Sequence, residues 1–101
     1  MKGALVFEEQ AGRIVVPFQT LATIVSVAVE RGGARVRRYP RRSVAFELGA
    51  EPTRVEVGIV APAGTVLPEL AARVQSSVHE ALEFMCEMHE LTVDVTVEEI
   101  A

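Results

Sequence analysis

The chain opens with two short β-prone runs, residues 5–9 and 12–16, joined at Gln10-Ala11-Gly12. They predict a hairpin. Pro17 then stands where a helix can begin, because the first helical turn has no use for its missing N–H. From Phe18 to Glu30 the period is helical. Phe18, Leu21, Ala22, Val25, Ala28 and Val29 share one face, and Gln19, Thr23, Ser26 and Glu30 the opposite one. Ile24 and Val27 broaden the apolar side beyond a single stripe. Many of these residues are β-branched, so packing rather than propensity must hold the helix. Gly32 and Gly33 are expected to end it, supplying a left-handed C-terminal residue.

Three strands are predicted next, over 34–39, 43–48 and 54–61, with a hairpin turn at Tyr39-Pro40-Arg41-Arg42 and another turn over 49–53. Val44, Phe46 and Leu48 share one face, as do Val55, Val57 and Ile59. Such alternation implies a sheet with one buried and one wetter face. Pro62, Ala63 and Gly64 break the third strand, and Thr65 is read as the N-cap of a helix running to about His89. Leu67, Leu70, Ala71, Val74, Val78, Ala81, Leu82 and Met85 make its apolar stripe. The last strand is clear: Val93, Val95 and Val97 alternate with Thr92, Asp94, Thr96 and Glu98. Strand, helix and strand over 54–98 have the length of a βαβ crossover. The expected fold class is α+β: a two-layer sandwich, with a mixed β-sheet and two helices packed on one face, in a single domain over 1–101.

Composition narrows the functional classes. Half of the 101 residues are hydrophobic and the net charge is −4. These values exclude wholesale disorder and a generic nucleic-acid binder. One cysteine excludes an internal disulfide framework. No secretory signal and no membrane span is read, so a soluble, cytoplasmic protein is expected. The charge is unevenly placed: Arg31, Arg35, Arg37, Arg38, Arg41 and Arg42 cluster, whereas no Lys or Arg follows His79.

Four constellations could carry chemistry. Arg35, Arg37, Arg38, Arg41 and Arg42 form a basic hairpin that suits an anionic partner, because guanidinium forks grip phosphate and carboxylate bidentately. The plainer reading is a solvated hairpin whose charges block edge pairing. His79, Glu83, Cys86 and Glu90, with His89 beside them, recur along one helix at spacings a metal could use. A Cys86–His89 pair could make a nucleophile, yet the sequence supplies neither an orienting group nor an oxyanion site. Packing and solvation are the better explanation of these residues, so no catalytic residue, metal ligand or cofactor is assigned. Met85 and Met88, near Phe84, could offer a soft surface to a partner, but Met85 is rather expected in the core, with Met88 and Phe84 more open. Ile24 and Val27 either bury between sheet and second helix or form a self-association surface.

The order of these features resembles the alkaline-shock-protein family of bacterial envelope stress response proteins. The resemblance rests on Gly12-Arg13-Ile14-Val15-Val16 leading into a small-residue helix that ends at Gly32-Gly33. It continues in Arg54-Val55-Glu56-Val57-Gly58-Ile59-Val60, in the proline-initiated helix from Val66-Leu67-Pro68-Glu69, and in Leu91-Thr92-Val93-Asp94-Val95-Thr96-Val97. It implies a small, cytoplasmic, non-enzymatic protein that self-associates as a scaffold and sits at the membrane through a membrane-anchored partner. The arginine-rich segment departs from the family pattern. It supports an alternative, a small nucleic-acid-binding module that uses the basic hairpin.

Overall fold

A computed structural model describes residues 4–37, 43–49 and 51–101. The first two runs form strands β1 (Leu5–Glu9) and β2 (Gly12–Val16), paired antiparallel with Leu5 opposite Val16 and Glu9 opposite Gly12. Leu5 and Val16 anchor the base of this hairpin on the core. Val6, Ile14 and Val15 are exposed, and the molecule measures 50 × 23 × 21 Å.

Helix α1 (Phe18–Arg31) buries the face its period marks out, with Leu21, Ala22, Val25, Ala28 and Val29 inside. Its two terminal glycines have different tasks. Gly33 takes φ 101°, the left-handed residue of the cap. Around it the Gly33 N–H donates to Glu30 O and the Ala34 N–H to Val29 O, a Schellman closure. Gly32 stays at φ −79°, but a Cβ there would sit 3.0 Å from the Cα of Val74. That glycine is needed for closeness, not for its dihedral angle. Gly32→Ala is therefore expected to lower the unfolding free energy by about 2 kcal/mol through overpacking. Urea unfolding measures this, and an unchanged midpoint would mean the helices separate freely.

The main sheet has the order β3 (Val44–Glu47), β4 (Thr53–Ala61), β5 (Leu91–Ile100). β3 runs antiparallel and β5 parallel to β4, so the sheet is mixed. Val44, Val55, Val57, Ile59 and Val93 bury beneath α1 and α2 (Leu67–Cys86), which lie on one face. The fold is the expected α+β two-layer arrangement. The opposite face carries Ala45, Glu56, Asp94 and Glu98, with Arg54 3.5 Å from Asp94. An irregularity in β5 between the partners of Ile59 and Val60 lets the Glu98 carboxylate lie over Gly58, where a Cβ would overlap it.

Several local expectations fail. The segment 34–37 is not a strand. It touches β4 through one bridge, where Arg35 and Val60 exchange both hydrogen bonds (2.7 and 3.2 Å). It sits on the same edge of β4 as β3, beyond the end of β3, so the two do not pair as a hairpin over the described residues. The proposed turn at 39–42 lies outside the described residues. Thr65 is not the N-cap of α2: Val66 holds that position without a side-chain bond. α2 also stops three residues early, at Cys86, because Glu87 adopts φ 56° and turns the chain back. The Met88 N–H then reaches Leu82 O at 3.3 Å and the Met88 side chain is buried. Met85, expected in the core, is 61% exposed. It lies in the groove between the two helices.

Candidate functional site on the outer face of the helix pair

The two helices run antiparallel. The Ser77 hydroxyl donates to Ala28 O at 2.6 Å, and Arg73 Nε donates to Gly32 O at 3.4 Å, so rising numbers on α1 meet falling numbers on α2. Small residues at Ala28, Gly32 and Ser77 let the backbones approach closely. Gln75 Nε2 fixes the other flank of α2 to β5 by donating to Val93 O at 3.0 Å.

Above this seam, on the side away from the sheet, lies an open groove of about 1340 Å³. Ile24 and Val27 from α1 line it with Ala81, Phe84 and Met85 from α2. Phe84 is 88% exposed, Met85 61% and Val27 47%, while Ile24 is half-buried. The broad apolar girth of α1 thus divides: Ile24 packs in part against the core, whereas Val27 faces solvent. Arg31 and Arg73 stand at one end of the groove, with Glu80 and Glu83 toward the other. The sequence marks Phe84 as open, at the edge of the stripe, but that Met85 joins it on one surface follows only from α1 flanking α2. A helix packed on both a sheet and a neighbour needs two apolar stripes, and residues continuing the second stripe past the contact are left in solvent.

The other candidate residues do not converge. Cys86 is buried, and burial pushes its thiol pKa up. The folded state thus holds the proton more tightly than the unfolded chain. Its contribution to stability is complete below the ordinary thiol pKa and falls as pH rises above about 9. Titrating thermal stability between pH 7 and 10 checks this, and a rise with pH would contradict it. His89 is exposed, 4.0 Å from Glu83, and His79 is half-buried. Among the described residues no three His, Cys, Asp or Glu side chains gather around one point. Arg35 and Arg37 are both exposed, and Arg37 Nε lies 3.7 Å from Glu99 Oε1. Arg38, Arg41 and Arg42 lie outside the described residues. A second depression of about 160 Å³, on the polar face near Glu56, Gly58 and Glu98, is too small for more than a few waters. Among the described residues no helix is long and apolar enough to cross a membrane.

Neither a family model nor a curated protein matches the chain. One solved structure does, a doubly substituted MamM-CTD. It is 16% identical, with a TM-score of 0.49, over 81% of this chain and 95% of that one.

Proposed function

We propose that this protein is a non-enzymatic envelope stress response protein. In this reading it is a self-associating scaffold that docks to a membrane-linked partner. The observation that carries the reading is the groove: a contiguous apolar surface headed by Phe84, the most exposed large hydrophobic residue among those described. A chain with few aromatics gains nothing in the monomer by holding one in water, and contiguous exposed apolar patches mark contact surfaces. The element order resembles alkaline-shock proteins, which supports the scaffold role. The thiol that a nucleophile would need is buried, with His89 turned out to solvent.

Light scattering over a concentration series tests the self-association. The expected result is a mass above the 10.9 kDa of one chain that grows with concentration. A single 10.9 kDa species throughout would contradict it. Docking is tested in the native cell by a photo-cross-linker at position 35, on the exposed basic side. Capture of an integral membrane protein is expected, and cross-links to soluble proteins alone would count against it.

A further inference from the structure

Charge and side-chain size are both graded along the groove, in opposite senses at its two ends. At one end stand Arg73 and the small exposed residues Ala72 and Ser76. At the other stand Glu83 and the large exposed Phe84 and Met85. Arg73 and Glu83 are about 15 Å apart along α2 at 1.5 Å per residue. Because Ala28 meets Ser77 and Gly32 meets Val74, Val27 lies level with the midpoint between that arginine and that glutamate.

We infer that the outer face of the helix pair is self-complementary and binds a second copy of this chain about a two-fold axis at Val27. The axis lies in the plane between the copies and runs across the helices. This deepens the self-association reading and rests on it. Rotation about that axis lays Arg73 of one copy over Glu83 of the other, and the reverse. It sets Phe84 on the small residues Ala72 and Ser76, and places the two Val27 side chains against each other. A rotation about the helix direction would instead lay α2 of one copy over α1 of the other, setting Arg73 on Arg31 and Glu83 and Phe84 on Thr20 and Thr23. Like charges placed face to face repel, so the arrangement that crosses the ends is the favoured one. In such an isologous contact every pair off the axis occurs twice, and each substitution counts twice.

A charge-reversal cycle read by sedimentation velocity tests this. Arg73→Glu and Glu83→Arg are each expected to weaken dimerisation roughly tenfold. The double variant Arg73→Glu/Glu83→Arg is expected to recover most of the loss. Phe84→Ser, which removes an exposed side chain and spares the monomer's core, is expected to weaken dimerisation without lowering the melting temperature measured at protein concentrations too low for dimers to form. Self-association that ignores the single reversals, or a double variant as weak as the singles combined, would overturn the two-fold contact and leave the scaffold reading standing. A wild-type chain that never dimerises would overturn both.

Discussion

Leu82→Ala is expected to lower the unfolding free energy by about 3 kcal/mol, whereas Phe84→Ala, two positions on, is expected to shift it by less than about 0.5 kcal/mol. Leu82 is fully buried between α2 and the sheet. Truncating it removes dispersion contacts and leaves a cavity that a close-packed core fills only in part. Its carbonyl also accepts from the Glu87 and Met88 N–H groups that close the helix, so a shift of Leu82 loosens the end of α2 as well. Phe84 has no such neighbours, and nearly all of its surface is in water. Denaturant unfolding at low protein concentration separates the two effects, because association adds nothing to stability there. Equal losses from both substitutions would mean that Phe84 packs within one chain.

Val27→Asp is expected to act the other way round, leaving the monomer intact and weakening self-association at least ~100-fold. Val27 is half in solvent and stands on the exposed flank of α1, so an aspartate there adds no buried charge to the monomer. At a two-fold contact the same substitution brings two carboxylates together in a partly dry site, where Coulomb repulsion is poorly screened. Adding salt screens the repulsion and is expected to recover part of the loss. The comparison with Ser26→Asp, on the same helix but outside the groove, is the control. Equal sensitivity at both positions would show a general effect of charge.

Much of the architecture was legible in the sequence because period and punctuation agreed. The β1–β2 hairpin, α1, β4 and β5 emerge close to the lengths their patterns imply, and Gly33 takes its left-handed place. Misreadings cluster where tertiary geometry overrides a local signal. Residues 34–37 read as a strand by composition, but β4 offers that edge only at its C-terminal end, so one bridge forms. The end of α2 was missed because its left-handed residue is Glu87, not glycine. That error propagated to the methionines: with the helix closed at Cys86, Met88 folds under it and Met85 is left outside. Ile24 and Val27 were legible as excess apolar surface and Phe84 as an open residue, while their convergence with Met85 on one surface became visible only once α1 was known to lie along α2. The arginines remain a charge pattern, with Arg37 already beside Glu99.

The claim that the outer helix face is the contact surface is tested most directly by isotope-filtered nuclear Overhauser spectroscopy on an equimolar mixture of labelled and unlabelled chain. Intermolecular signals are expected from the Val27 and Ile24 methyl groups and from the Phe84 ring. Signals confined to the hairpin valines Val6 and Val15, or to the free edge of β5, would contradict the account.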